Sequence, residues 1–403
     1  MGYLAFIGAQ YPFLFFGFVM MLMSNFGQTF FIGLYSNDIR GGFGLSHAEF
    51  GGLYSAMTLL SALLLLYSGR FIDTLRLSRF TGMTLAGLAL ACLFMALAPD
   101  IAGLALALFA LRHFGQGLGA HTGMTSMGRA YERNRGRAVA VAQLGYASGE
   151  AVFPVAILAL VAWVGWQQSW LALAMVVFFA ALPMQVFLTR FEPPRRAEAE
   201  TADTSAAFGR MDVLRDPRFY LILPLYMASP FLLTGMFLTH AALADERGWP
   251  LTLIAAGFIS YALSKIVLTL ATGIWVDRFT ALRVLPFGGL PLAAAFATLA
   301  LPPDMLGTWA AHVYLAFSGV CIGMMGPVGG GLWAELYGVQ RLGAIRSMTT
   351  PISIFATAAA PVAFGLMIDA GLSFDAVSGL AALYVLAAIA LAFAARFPKL
   401  AAQ

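Results

Sequence analysis

Long apolar stretches separated by short polar ones make up most of the chain. Twelve of them are long enough to cross a hydrocarbon layer of about 30 Å as helices, which takes about 20 apolar residues each. The strict alternation of a membrane β-strand is absent from these stretches. The pattern therefore predicts an all-α membrane protein with twelve transmembrane helices, at 11–37, 46–68, 80–98, 101–128, 138–163, 168–189, 219–243, 250–275, 284–302, 307–333, 344–369 and 373–395.

One stretch in the middle of the chain departs from this pattern. Residues 191–218 read FEPPRRAEAETADTSAAFGRMDVLRDPR, which is charged, proline-bearing and poor in apolar residues. We expect it to be a cytoplasmic linker that is partly helical at the membrane surface. It divides the chain into an N-terminal six-helix bundle, 1–190, and a C-terminal six-helix bundle, 219–403.

Composition narrows the possible classes of protein. The 403 residues are 61% hydrophobic and 10% charged, with a mean hydropathy of +0.83, whereas soluble proteins carry about 25% charged residues. These values argue against a soluble enzyme and against a nucleic-acid-binding protein. Cys92 and Cys321 lie in apolar stretches, and the histidines are scattered, so we expect no enzyme activity, metal site or cofactor. The expected partners are the lipid bilayer and a small molecule, and the expected state is a monomer.

The basic residues predict how the chain is oriented. Of the 23 Lys and Arg residues, nineteen fall in one set of loops and in the C-terminal tail, and only Arg40 and Arg247 fall on the other side. Arg112 and Lys265 lie within spans. Because Lys and Arg accumulate in cytoplasmic loops, we expect both termini to be cytoplasmic and the chain to reside in the cell inner membrane.

A motif that occurs twice links the two halves. GRFIDTLRLSR at 69–79 aligns with GIWVDRFTALR at 273–283, which is 204 residues further on. The glycines allow neighbouring helices to approach closely, and the aspartates can accept hydrogen bonds from nearby arginines. We expect a conformational latch built from Gly69, Asp73, Arg76, Gly273, Asp277 and Arg278. The alternative is that these charges only set the topology.

This doubled motif resembles the loop signature of the major facilitator superfamily. RHFGQGLGAH at 112–121 is similar to the Arg-and-Gly signature of that family's fourth helix. The resemblance covers essentially the whole chain and implies two six-helix bundles that rock about a central site. The loops RAYERNRGRA at 129–138 and WAELYGVQRLGAIR at 333–346 resemble those of its monocarboxylate and oxalate–formate branch.

Three ionisable residues lie deep in the spans without an ionisable counterpart in the other half. Arg112, Lys265 and Glu150 are each about 16–18 Å from a span end at 1.5 Å per residue. A charge at that depth usually faces a polar cavity or a partner. We expect Arg112 and Lys265 to clamp a carboxylate and Glu150 to bind the coupled proton. The alternative is a fixed, buried ion pair between Arg112 and Glu150.

Other polar side chains are candidates for the same site. Asn25, Gln28 and Thr29 share a helix face, where they either line the cavity or bond to neighbouring helices. His113 is a candidate proton carrier. The complete expectation is a substrate site of Arg112, Lys265, Asn25, Gln28, Tyr146 and Tyr261, with proton coupling through Glu150 and His113.

The sequence thus predicts a secondary active transporter that moves a small, monocarboxylate-like organic anion by alternating access, with proton symport. In GYASGEAVFP at 145–154, Glu150 follows the GxxxG step where the family's drug antiporters often carry Gly-Pro, which favours uptake. The alternative is a transporter of a neutral or amphipathic ring-bearing solute, in vitamin uptake or drug efflux. A third possibility is a sensor or assembly factor without transport activity, which would bind a partner on 191–218.

Overall fold

The computed structural model describes residues 3–131, 134–194, 210–338 and 342–395. Twelve helices in these ranges are long and apolar enough to cross a membrane, and all the regular structure described is helical. The predicted all-α fold with twelve spans is confirmed. Of the predicted linker, residues 195–209 lie outside the described residues, and its end includes a short helix, Arg210–Arg215.

We number the long helices α1–α12. The first six are α1 Tyr3–Met23, α2 His47–Ser68, α3 Leu77–Leu97, α4 Ile101–Ala130, α5 Arg135–Val164 and α6 Trp166–Leu188. The other six are α7 Pro217–Leu238, α8 Leu251–Phe279, α9 Ala281–Ala300, α10 Trp309–Tyr337, α11 Leu342–Asp369 and α12 Phe374–Ala394. Besides Arg210–Arg215, the shorter helices are Ser24–Gly27, Thr29–Gly33, Ser36–Phe43, Phe71–Thr74, Thr189–Phe191, His240–Glu246 and Pro303–Leu306.

The chain divides into two compact units. The N-terminal unit is Met1–Leu45 with Gly52–Ala199, and the C-terminal unit is Ser46–Gly51 with Glu200–Gln403. In the N-terminal unit α1 packs along α5 and α4, and α3 packs against α4 and α6. In the C-terminal unit α10 packs along α8 and α9, and α12 lies against α9 and α7.

The start of α2 is counted with the C-terminal unit because of its contacts with the end of α11. The carboxylate of Asp369 accepts hydrogen bonds from the backbone N–H groups of His47, at 3.1 Å, and Ala48, at 2.8 Å. These donors have no partner within their own helix, so Asp369 caps the N-terminus of α2. The chain therefore passes from one unit into the other within α2.

Glycines bring helix backbones into direct contact in both units. A Cβ atom on Gly145 of α5 would lie 1.9 Å from the carbonyl oxygen of Phe18 on α1. In the other unit, a Cβ on Gly319 of α10 would lie 2.2 Å from the carbonyl oxygen of Tyr261 on α8. Small residues allow such close packing in membrane proteins, and they fix the register of each helix pair.

The first span is not the continuous helix over 11–37 that hydropathy predicts. Helix α1 ends at Met23 and is followed by a 3-10 turn, Ser24–Gly27, and an extended residue, Gln28, with φ −82° and ψ 151°. The Asn25 side chain donates to the carbonyl oxygen of Leu22 at 3.0 Å. Asn side chains compete in this way with the helical ladder, which explains a break that apolar periodicity does not reveal.

The seventh span also ends before the predicted residue 243. Helix α7 stops at Leu238, and a separate short helix occupies His240–Glu246. Thr239 lies between them, and its hydroxyl donates to the carbonyl oxygen of Gly235 at 3.1 Å. This bond satisfies a carbonyl group at the end of α7.

A buried arginine joins three segments of the C-terminal unit. Arg247 follows the short helix, its side chain is 2% exposed, and it forms an ion pair with Asp375 of α12 at 2.5 Å. Its guanidinium also donates to the carbonyl oxygens of Leu299 and Leu301 at the end of α9. One of the two cations predicted outside the membrane is therefore part of the core of this unit.

Replacing Asp375 with alanine is expected to lower the free energy of unfolding by about 2–3 kcal/mol, because it leaves the buried Arg247 cation without its counterion. The measurement is the thermal unfolding midpoint of the purified protein in detergent. Asp304→Ala is the matched control, since Asp304 is an exposed aspartate in the short helix Pro303–Leu306 between α9 and α10. Equal midpoints for the two variants would contradict a structural role for the ion pair.

Candidate functional site

The N-terminal unit holds a buried cation where two helices are irregular. Arg112 lies in a π-helical segment of α4, Leu111–Gly119, and is 2% exposed. Its Nη1 donates to the carbonyl oxygen of Gly27 at 2.9 Å, in the break after α1. A Cβ on Gly27 would lie 2.2 Å from the Leu111 carbonyl oxygen, so only glycine lets the segments touch. Unwound backbone and π-helical turns both recur at functional sites.

The charge of Arg112 is only partly compensated. Its guanidinium carbon lies 5.1 Å from the centroid of the Tyr54 ring, and its Nε is buried without an acceptor. Among the described residues no ion pair connects Arg112 to a carboxylate, so the fixed pair with Glu150 that we considered as an alternative is not found there. A carbonyl oxygen and an aromatic face stabilise the cation, and an anion that accepts from Nε would complete its hydrogen bonding.

Predicted site residues from three other segments lie around this cation. The Asn25 amide donates to the carbonyl oxygen of Tyr146 on α5 at 3.3 Å, and the Tyr146 side chain is within electrostatic range of Arg112 and Glu150. Glu150 is 2% exposed. Gln28 lies in the break itself. The structure therefore gathers Asn25, Gln28, Arg112, Tyr146 and Glu150 within one unit.

Tyr54 and the backbone carbonyl of Gly27 contact Arg112 but were absent from the expected substrate site. The Thr29 hydroxyl bonds to the Tyr54 hydroxyl at 2.8 Å, which orients the ring beneath Arg112. The backbone carbonyl of Gly27 supplies the direct acceptor for Arg112. The sequence signal for Tyr54 was its position in an apolar span, which it shares with many aromatic residues. A backbone acceptor leaves no signal in the residue types.

His113 follows Arg112 in the sequence, but the two side chains contact different groups. Its Nε2 lies 3.3 Å from the Ser68 hydroxyl, and its Nδ1 lies 3.4 Å from the carbonyl oxygen of Ser61. The ring also stacks on Phe109, with centroids 5.7 Å apart. These contacts fix the ring against α2 and leave its proposed part in proton coupling as a prediction.

The second candidate cation lies in the C-terminal unit. Lys265 is half-buried on α8, and its Nζ lies 5.7 Å from the centroid of the Tyr261 ring. A Cβ on Gly323 of α10 would lie 2.6 Å from the Lys265 carbonyl oxygen. Close packing on α10 therefore fixes the position of the backbone that carries Lys265.

Aromatic side chains surround Tyr261 on its other sides. The ring centroids of Phe237 and Phe258 are each 5.7 Å from that of Tyr261. His240 joins this cluster and bonds through Nε2 to the Tyr314 hydroxyl at 3.1 Å. Complete burial lowers the pKa of His240 to about 3, which favours the neutral form of this ring.

The first copy of the repeated motif forms an ion pair that the sequence did not identify. Asp73 pairs with Arg129 at the end of α4, whereas the expected latch named Arg76. Arg129 also donates to the carbonyl oxygen of Ile72 at 3.5 Å. The Gly69 carbonyl oxygen lies 3.1 Å from Nε2 of His121. The distance of 56 residues between Asp73 and Arg129 explains why local spacing did not reveal the pair.

The second copy of the repeated motif, at 273–283, differs from the first copy at 69–79. A Cβ on Gly273 would find no described heavy atom within 4 Å, so the close helix approach expected there is not found in the described part of the chain. Arg278 lies over the ring of Phe279, 5.3 Å from its centroid. The proposed latch function of Asp277 and Arg278 stays a prediction. In the ranges described, no group of three His, Cys, Asp or Glu residues is arranged to hold a metal ion.

Comparison with known protein families identifies the family that has this architecture. Residues 14–344 match the Major Facilitator Superfamily. The chain belongs to the Major Facilitator Superfamily. It is therefore a multi-pass membrane transporter by family. No curated protein matches its sequence.

Solved structures of other members of this superfamily share the fold. A bacterial homologue of the human lysosomal transporter Spinster, inward-facing and occupied, has a TM-score of 0.71 at 16% identity, over 96% of this chain and 97% of that one. The nucleoside transporter NupG has a TM-score of 0.69 at 14% identity, over 96% of this chain and 98% of that one. At such identities the similarity shows the fold alone.

Proposed function

We propose that this superfamily member is a proton-coupled secondary transporter of a small organic monoanion. It would act by alternating access in the cell inner membrane, with both termini in the cytoplasm. The observation that carries the proposal is Arg112, a buried cation whose Nε lacks an acceptor and which pairs with no carboxylate among the described residues. The resemblance of two loops to the monocarboxylate and oxalate–formate branch supports the same substrate class.

The anion would bind first through its carboxylate to Arg112. A guanidinium presents parallel N–H donors that match the two oxygens of a carboxylate, and burial strengthens the attraction relative to water. Lys265 would supply the second cation. Arg112, Lys265 and Glu150 sum to a charge of +1 with Glu150 ionised and +2 with Glu150 protonated, so a monoanion is attracted in both states and more strongly in the protonated one.

Proton coupling would follow from the charge of Glu150. Protonation removes one negative charge from the cluster around Tyr146, so it favours an anion on Arg112. Loss of the proton restores that negative charge and favours release. A lone charge at this depth is costly, so binding of the proton favours binding of the anion. Transport in which the two move together is symport.

Replacing Lys265 with glutamine is expected to lower anion uptake about 10-fold or more, because one charged hydrogen bond contributes about 1.5–3 kcal/mol. The assay is pH-gradient-driven uptake into proteoliposomes of the monoanions formate, lactate and pyruvate, each tested separately. Arg190→Gln is the control, since Arg190 is an exposed arginine near the end of α6. Unchanged uptake of every anion by Lys265→Gln would contradict the clamp.

A neutral or amphipathic ring-bearing solute is the second candidate substrate. The observation that favours it is the aromatic surface beside each cation, formed by Tyr54 in one unit and by Tyr261 with Phe237 in the other. Rings of this kind stack on flat solutes. Saturable binding of a neutral ring compound with equal affinity in the parent and in Lys265→Gln would favour this function over anion transport.

A further inference from the structure

A cavity of about 870 Å³ lies in the C-terminal unit where α8 ends and α9 begins, and its lining residues do not include Lys265. Its walls include Trp275, Phe279, Arg283, Phe287, Met324 and Glu335. These residues come from α8, α9 and α10, so three packed helices shape the cavity.

The cavity is built around a sharp connection. Helix α8 ends at Phe279 and α9 begins at Ala281, so Thr280 alone joins them, with φ at +78°. The carboxylate of Glu335 on α10 accepts a hydrogen bond from the Ala281 backbone N–H at 2.6 Å. This bond fixes the end of α10 to the start of α9, which gives the cavity a defined wall.

The aromatic lining is exposed at the ends of membrane-spanning helices. Trp275 is 39% exposed, Phe279 46% and Phe287 50%. Helix ends are the depth at which lipid acyl chains meet their headgroups, and aromatic side chains concentrate there. The apolar wall of this cavity therefore lies within reach of surrounding lipid.

One cationic side chain lines the same cavity. Arg283 is exposed in the first turn of α9. A guanidinium binds phosphate oxygens through its fork of N–H donors. The cavity thus joins a phosphate-binding group to an apolar wall, which is the chemistry of a phospholipid headgroup and its acyl chain.

We propose that this cavity binds a membrane glycerophospholipid. Its phosphate lies on Arg283, and one acyl chain runs along Phe287 and Met324. The site is independent of the proposed substrate, because its residues are distinct from Arg112, Lys265 and the groups around them.

The test uses the purified full chain in detergent and its thermal unfolding midpoint, since a ligand that binds the folded state raises that midpoint. The probes are dioleoylphosphatidylglycerol, dioleoylglycerol with the same chains and no phosphate, and inorganic phosphate. We expect the phospholipid alone to raise the midpoint. Arg283→Gln should weaken the apparent affinity for the phospholipid about 10-fold, because it removes one charged hydrogen bond.

Arg190→Gln is the matched control. Arg190 is an exposed arginine whose guanidinium carbon lies 5.2 Å from the Phe187 ring centroid, but it is no part of this cavity, so its loss should leave the affinity unchanged. In a second measurement, a phospholipid with a photoreactive acyl chain should label α9 at Phe287, and Arg283→Gln should reduce that label.

Three results would overturn the proposal. Equal shifts with dioleoylglycerol would show that the phosphate is not bound, and a shift with inorganic phosphate alone would show a free anion site. Equal losses of affinity in Arg283→Gln and Arg190→Gln would show general attraction to an anionic lipid. Because unfolding and labelling are read without transport, failure here leaves the proposed function standing, and failure of anion uptake leaves this site standing.

Discussion

Arg112→Met is expected to reduce anion uptake about 100-fold or more without lowering the thermal unfolding midpoint. Truncating one partner of a buried, hydrogen-bonded charge pair costs about 2–5 kcal/mol of binding, and 2.8 kcal/mol corresponds to about 100-fold. Arg112 would be such a partner for the carboxylate of the substrate. The loss of uptake would therefore appear as weaker binding rather than as misfolding.

The effect on stability separates this role from a structural one. Burying a cation costs free energy that a carbonyl oxygen and a ring face repay only in part, and Arg112 has these partners in Gly27 and Tyr54. Replacing it with an apolar residue of similar length removes that cost together with one hydrogen bond. We expect a midpoint equal to or above that of the parent.

Arg112→Lys supplies the intermediate case. Lysine keeps the charge but not the planar fork, so uptake should fall about 10-fold, between the parent and Arg112→Met. Unchanged uptake by Arg112→Met would show that the anion does not bind to Arg112 in the N-terminal unit. A large fall in the unfolding midpoint, with normal affinity for the anion, would make Arg112 a structural residue.

Much of the fold follows from hydropathy because lipid imposes one requirement along each span. A helix must be apolar over about 20 residues, so the twelve spans are visible as stretches of sequence. Span ends are harder to predict where a side chain competes for backbone bonds. Asn25 after α1 and Thr239 after α7 both bond to carbonyl groups of the preceding turn, and the predicted helices ran past both positions.

The candidate site was partly predictable for a similar reason. Charges such as Arg112 and Glu150 are conspicuous within apolar spans, and the structure places both near Tyr146. The partners that complete the geometry are not conspicuous. The Gly27 carbonyl belongs to the backbone. Arg129 is one of several arginines near the end of α4 and the start of α5, so its pairing with Asp73 depends on how α4 packs against the end of α2.

Gly145→Ala is expected to destabilise the N-terminal unit by about 3 kcal/mol, although alanine favours helix over glycine by up to about 1 kcal/mol. The added Cβ would lie 1.9 Å from the carbonyl oxygen of Phe18, and backbone atoms on two packed helices cannot move apart locally. Overpacking of a close contact costs about 1–3 kcal/mol and at times more. The clash therefore outweighs the gain in helix propensity.

The same substitution should also disturb the site, because α1 leads into the break that carries Asn25. One turn further along α5, a Cβ on Gly149 would lie 2.1 Å from the Asn25 amide nitrogen, so α1 and α5 stay in close contact up to that break. Displacing α1 at Gly145 should therefore shift Asn25 and lower anion uptake together with the unfolding midpoint.

Gly136→Ala on the same helix is the control for this prediction. A Cβ on Gly136 would meet no atom of the described residues within 4 Å, so the substitution adds helix propensity without a clash there, and its midpoint should equal or exceed that of the parent. The measurement is thermal unfolding of both variants in the same detergent. If Gly145→Ala unfolds at the same temperature as Gly136→Ala, the contact between α1 and α5 is looser than the structure shows, and the position of Asn25 would not depend on it.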